Sequence, residues 1–276
     1  MRKNPEIISS LKHPAVVAAR ERLGQVGKAP PTAYMLDGHK FAEQALESGA
    51  KVEWMFFLGP VELPEQTLIK RAMEAGVESH ILNKGIFTRL LDLGYATSAR
   101  VIAIVEARQL GERELINRVH PGFRIIIGES IRDPRNVGVI IRTADAFGLD
   151  AAVFTGDSAD PWSRPSVRST TGSILRTPIT IVKETERFMM ELKSSGVKVI
   201  GSSARAERLC WEAEMQSPAA IVVGSESTGL AAATIDQCDA LVKIPMFGGA
   251  SSFNVTVAAG MLAYESVRQD RPREER

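Results

Sequence analysis

The strongest constraint on this chain is a recurring alternation of short apolar, β-branched runs with helix-length amphipathic stretches. Residues 123–128, Phe-Arg-Ile-Ile-Ile-Gly, form a run suited to a buried parallel strand. From Asn136 to Phe147, Val137, Ile140, Ile141 and Ala144 share one helical face, and Gly148 stands where a helix ends. Residues 151–154, 179–182, 197–200, 219–223 and 241–244 read as further strands, and 254–267 as a long helix. Strands and helices that alternate in this way build an α/β fold, with helices packed over a parallel sheet.

The first third repeats the pattern on a smaller scale. Residues 33–36, 52–58, 79–82 and 100–105 read as strands. A helix follows Gly38, with Phe41, Ala42, Ala45 and Leu46 at helical spacing, and another spans 65–75 before Gly76. The polar stretch 109–122, which closes on His120-Pro121-Gly122, reads as a linker containing at most a short helix. The expected organisation is a small α/β domain over 1–108, a linker over 109–122, a second α/β domain over 123–268 and a charged tail over 269–276.

Composition narrows the function classes. With 44% hydrophobic and 24% charged residues in 276, the chain has ample core material, which excludes a disordered or fibrous protein. Its 34 basic and 33 acidic residues leave a formal charge of +1. The total therefore says nothing in favour of nucleic acid, although a basic patch fits inside a neutral sum. Cys210 and Cys238 lack paired spacing and the four histidines are scattered, so reduced thiols and no metal site are expected. The first eleven residues lack the apolar core of a secretory signal, and nowhere do about 18 apolar residues run together. The expectation is a soluble, cytoplasmic protein that contacts no membrane.

Three segments lie where a strand or loop meets a helix, the edge at which open α/β sheets bind ligands. The first runs from Asp133 through Asn136 and Gly138 to Arg142-Thr143-Ala144-Asp145-Ala146. Here Asn136 reads as a helix N-cap, Gly138 as a point of close approach, and Arg142 as a cation interrupting an apolar face. The second is Gly224-Ser225-Glu226-Ser227-Thr228-Gly229, after a buried strand. The third is Ile244-Pro245-Met246, followed by a Gly/Ser loop and Ser252-Phe253-Asn254 at a helix start, where unpaired N–H groups face outward. Each segment by itself is also what plain capping and turn chemistry produce. The Gly-x-Gly-x-x-Gly, P-loop and Gly-x-Ser-x-Gly patterns do not occur at the positions that would give them meaning.

Taken together and in this order, the three segments resemble the three motifs of the SpoU (TrmH-like) RNA ribose 2′-O-methyltransferases of the SPOUT superfamily. The resemblance spans about residues 123–268. The N-terminal third more loosely resembles the L30-like RNA-binding domain of rRNA-modifying members, with Leu36-Asp37-Gly38 in place of the usual Val-Glu-Gly. Phe253 stands where leucine is common.

The resemblance implies a C-terminal trefoil-knot domain, a homodimer, and S-adenosylmethionine as cofactor. It also implies an RNA substrate, most like large-subunit rRNA; tRNA stays open, as does a catalytically silent RNA-binding protein on the same fold. Carried over residue by residue, it makes Asn136, Arg142, Glu226 and Asn254 catalytic, with Asn254 helping to fix Arg142 or the ribose. Gly224, Ser225, Ile244, Met246, Ser252 and Phe253 become cofactor-binding. Residues 163–177, with Arg164 and Arg168, resemble the target-facing loop. Lys12, Arg20, Arg22 and Lys28 cluster near the start as candidate phosphate contacts.

Overall fold

A computed structural model of the chain describes residues 7–25, 31–91 and 98–270. It divides into two compact units, residues 1–108 and 109–276.

In the first unit the chain runs β1 (Ile7–Ile8), α1 (Pro14–Arg22), β2 (Ala33–Asp37), α2 (His39–Glu47), β3 (Val52–Leu58), α3 (Leu63–Glu74), β4 (Glu78–Leu82), α4 (Lys84–Leu90) and β5 (Val101–Glu106). The strands form one five-stranded sheet in the order β1-β4-β3-β5-β2. β5 runs antiparallel to both of its neighbours, β3 and β2, and the other pairs are parallel. Met55, Phe56 and Phe57 in β3 and Ile102 and Ile104 in β5 are completely buried, as a sheet covered on both faces requires. No helical apolar period marks α1 in the sequence. The helix buries only Ala15, Val16 and Ala19, and it starts where the His13 ring accepts the Ala15 N–H and Pro14 opens the first turn.

The second unit begins with α5 (Glu112–Ile116) and continues β6 (Arg124–Gly128), α6 (Pro134–Phe147), β7 (Ala151–Thr155) and α7 (Arg164–Thr170). A 3₁₀ turn (Ser173–Leu175) leads to β8 (Ile179–Val182), α8 (Thr185–Ser194), β9 (Lys198–Ser202), β10 (Ala219–Val223), α9 (Ala232–Gln237), β11 (Ala240–Val242) and α10 (Val255–Asp270). The six strands are parallel in the order β11-β9-β10-β6-β7-β8. The stretch 109–122, expected as a linker, packs as part of this unit. Leu110 and Leu115 are buried in its core with Phe123, Val153 and Phe188, and the Leu110 N–H donates to Ile179 O at 2.8 Å. Its charged residues hid two apolar anchors.

The strand order positions the site. From β6 the chain builds outward through β7 and β8, crosses through α8 to lay down β9 on the other side, and then inserts β10 between β9 and β6. β6 and β10 are paired from Arg124–Ala219 to Gly128–Val223, so both strands end together and the Glu129 N–H donates to Val223 O at 2.8 Å. A parallel sheet whose chain direction reverses here opens a crevice at its carboxyl edge.

Candidate functional site

Three chain segments leave that carboxyl edge: the loop after β9, the loop after β10 and the stretch after β11. They enclose a cleft of about 550 Å³. Its wall is apolar at Val223, Leu230, Ile235, Ile244, Met246, Val255 and Ala258, and polar at Ser202, Ser203, Ser225, Glu226, Ser251 and Ser252. A volume in this range with a few convergent polar groups suits a small organic ligand. Gly224, Ser225, Ile244, Met246, Ser252 and Phe253, which the sequence singles out together, all line it, and so does Glu226.

Gly224 is required by the chain itself. A Cβ there would lie 2.3 Å from the carbonyl carbon of Gly229 and 2.5 Å from the Leu230 nitrogen. The loop turns back on its own start, closed by the Gly229 N–H donating to Ser225 O at 2.9 Å. A side chain at 224 therefore meets backbone before it meets any ligand.

At the start of α6 the structure differs from the sequence reading. Asp133, not Asn136, is the cap: its Oδ1 accepts the Arg135 N–H at 2.8 Å, and Pro134 takes the first helical position. Hydrogen bonds from the Arg135 guanidinium and then from its backbone N–H hold the Asp133 carboxyl below the usual carboxylate range. Freed from capping, Asn136 donates from Nδ2 to Glu226 Oε1 and so ties the first motif to the second. Gly138 serves helix packing: a Cβ there would lie 2.2 Å from Ser166 O in α7. Arg142, on the same helix, is exposed and lies outside the cleft lining.

Asn254 behaves as a cap. Its Oδ1 accepts the Thr256 N–H at 2.8 Å and the Thr256 hydroxyl at 2.6 Å, which engages the oxygen that was to fix Arg142 or a ribose.

The segment 163–177, read as a loop, is α7 plus the 3₁₀ turn, with Arg168 exposed and Arg164 half-buried. Ser166 is buried and donates to Asp160 O at 2.8 Å, which anchors the start of α7. In the first unit Lys12 is exposed and Arg20 half-buried, while Arg22 is committed to the fold. Its Nε donates to Glu53 Oε2 at 2.9 Å, and Glu106 lies 3.6 Å from the same guanidinium. Arg22 is therefore removed from the set of free phosphate contacts. Lys28 lies outside the described residues.

A family profile described as the SpoU rRNA Methylase family matches residues 124–264. The chain belongs to the SpoU rRNA methylase family. A relative from Bacillus subtilis, named 23S rRNA (guanosine(2553)-2′-O)-methyltransferase RlmP, is 28% identical across 84% of this chain and 87% of its own. The RlmB 23S rRNA (guanosine-2′-O-)-methyltransferase of Vibrio vulnificus is 34% identical across 61% of this chain and 70% of its own. Among solved structures, the AdoMet-bound rRNA methyltransferase from Sinorhizobium meliloti superposes with a TM-score of 0.80 at 25% identity, covering 97% of this chain and 99% of that one.

Two features of this SpoU chain escaped sequence reasoning. The first is the Ser202-Ser203-Ala204-Arg205 wall of the cleft, although a run of small residues after an apolar strand is the same signal that marked the other two loops. The second is Glu129, only 6% exposed, which accepts the Ala231 N–H at 2.9 Å and the Thr234 hydroxyl. It joins the end of β6 to the far end of the 224–230 loop, a link across 102 residues that no local pattern encodes.

Proposed function

We propose that this protein transfers the methyl group of S-adenosylmethionine to a ribose 2′-hydroxyl of large-subunit rRNA, with the donor held in the cleft at the carboxyl ends of β9 and β10. One observation carries the reading: the second and third motifs, 20 residues apart from Gly224 to Ile244, converge on one cleft with an apolar wall for a purine and polar groups for an amino-acid end. The relatives named above act on 23S rRNA, which favours rRNA over tRNA.

What the donor supplies when bound is a methyl group made electrophilic by its sulfonium, so the transfer needs no metal. The chain's task lies with the acceptor, because a ribose 2′-hydroxyl is a very weak acid. Arg142 supplies a permanently charged guanidinium that favours the developing alkoxide, most strongly where water is excluded. Since that group keeps its proton, it is not the base. Asn136, gripped by Glu226, fixes the start of α6 relative to the donor loop, and Asn254 sets the start of α10 beside Phe253.

The reading includes a homodimer. Val257, Met261 and Tyr264 recur at helical spacing and leave an apolar stripe along α10 exposed. It includes the knot as well, supported by β10 inserted between β6 and β9 and by α10 returning to pack on α6 and β10. Residues 1–108 act as the RNA-reading domain, with Lys12 and Arg20 as phosphate contacts, while Arg164 and Arg168 face the target. The reading includes a cytoplasmic enzyme, in keeping with ribosomal RNA as its substrate. The deciding experiment maps 2′-O-methylated riboses in ribosomal RNA from cells with and without the gene. Loss of one methylated ribose in the large subunit is expected, and an unchanged map refutes the proposal.

A further inference from the structure

The lining of the donor cleft contains two charged side chains among the described residues, Glu226 and Arg205. Glu226 is engaged by the Asn136 amide. Arg205 is exposed at the rim, and its guanidinium has no ion-pair partner among the described residues. Its backbone, by contrast, is held firmly. The Arg205 N–H donates to Ser203 Oγ at 3.2 Å, the Ala206 N–H donates to Ser203 O at 3.1 Å, and the Ser203 N–H donates to Val242 O at 2.9 Å. A turn tied to β11 therefore presents an uncommitted cation to the cleft. The rest of the lining is apolar or carries neutral hydroxyls, so a ligand anion has one cationic side chain in this lining to meet.

S-adenosylmethionine carries a single anionic group, the α-carboxylate at the end of its methionyl chain. A guanidinium matches a carboxylate with two parallel N–H···O bonds, a geometry that lysine does not reproduce. We propose that Arg205 binds the α-carboxylate of the methyl donor and thereby selects ligands that carry the amino-acid end. This inference rests on the reading of the cleft as the donor site. It adds a specificity-determining residue outside the three motifs. Neutral hydroxyls and glycine backbone along the 224–230 loop are left to meet the ribose, and the apolar wall at Leu230, Ile235 and Ile244 is left to meet the adenine.

The test is calorimetry on the full chain, comparing wild type, Arg205→Met and Arg205→Lys. The probes are S-adenosylmethionine, its decarboxylated form and 5′-methylthioadenosine. Arg205→Met keeps an unbranched apolar stem in place of arginine's and removes the charge. It is expected to weaken S-adenosylmethionine binding about five- to tenfold, the scale of a charge-assisted hydrogen bond reduced by solvent exposure. Affinities for the two ligands without a carboxylate are expected to stay unchanged, and Arg205→Lys is expected to fall between wild type and Arg205→Met. An equal loss for all three ligands would show a collapsed loop and overturn the assignment. Unchanged donor affinity with a raised KM for RNA would move Arg205 to a phosphate contact and overturn it too. If wild type binds none of the three probes, the donor-cleft reading itself falls, an outcome separate from any effect of the substitution.

Discussion

Replacing Gly138 with alanine sets two opposing effects against each other within one helix turn. Alanine is the better helix former, by about 1 kcal/mol in a helix interior. Against this, the added Cβ would sit 2.2 Å from Ser166 O, 2.6 Å from Ser169 Cβ and 3.1 Å from the Ser166 carbonyl carbon. Ordinary contact begins near 3.4 Å, so α7 would have to withdraw from α6 by roughly 1 Å. The nearest atom is backbone and does not yield as a side-chain tip does. α7 is also anchored, through Ser166 Oγ to Asp160 O at 2.8 Å and through the buried Val167 and Thr170. Overpacking of this kind costs about 1–3 kcal/mol and sometimes more. The clash here is severe enough to place it at or above the upper end, so a net loss of about 2 kcal/mol is expected. For a domain of this size that lowers Tm by about 4–8 °C. Thermal and urea unfolding of the full chain measure it directly. RNA methylation is expected to fall as well, because α6 carries Asn136 and Arg142 while α7 carries Arg164 and Arg168. Donor affinity is expected to hold, since neither helix lines the cleft. A Gly138→Ala protein as stable as wild type, or more so, would refute the claim that the two helices are in backbone contact.

Three further outcomes are expected. Arg142→Ala lowers the single-turnover methylation rate about a hundredfold or more while calorimetry finds donor affinity unaltered; activity within a fewfold of wild type removes Arg142 from the chemistry. Glu129→Ala leaves the Ala231 N–H and the buried Thr234 hydroxyl without their acceptor, which costs about 2–4 kcal/mol in urea unfolding and weakens donor binding through the 224–230 loop. Unchanged stability and affinity would show that the carboxylate is dispensable. Asp145 is held below the usual carboxylate range by its hydrogen bond from Arg176, against burial and with help from Ser173. Its stabilisation is therefore complete above the unfolded-state pKa of about 3.9 and is lost as pH falls through the lower folded-state value. The difference in unfolding free energy between wild type and Asp145→Asn should shrink as pH falls from about 6 into the acid range, and a gap that does not shrink contradicts this linkage.

Much of the site was legible because its signals are local. Gly224-Ser225-Glu226 and Ile244-Pro245-Met246 stand out as glycine, small hydroxyl residues or proline directly after an apolar strand, and such transitions need only a few neighbouring residues to be recognised. The roles of single side chains were less legible. Asn136 looked like a cap because Asn, Asp and Ser compete for that position on nearly equal terms. Pro134 and the extended backbone of Asp133, with φ −80° and ψ 116°, settled the competition three residues earlier. The loop expected over 163–177 rests on the resemblance alone; residues 164–170 are helical although Pro165, Ser166, Ser169 and Thr170 are weak helix formers, and they pack on α6 at contact distance through Gly138. Arg22 reads as free in the sequence because its partner Glu53 is 31 residues away, on strand β3.

The sequence by itself determined the α/β class, nearly every strand and the identity of the three motifs, since hydrophobic period and turn chemistry act over a few residues at a time. Tertiary structure alone decided which strands are neighbours. By placing β10 between β9 and β6 it brought the loops after β9, β10 and β11 to one edge, closed Asn136 onto Glu226, and set Arg205 in the cleft wall. Those contacts join residues 20 to about 100 positions apart, and their energies exist only once the sheet has assembled and excluded water between them.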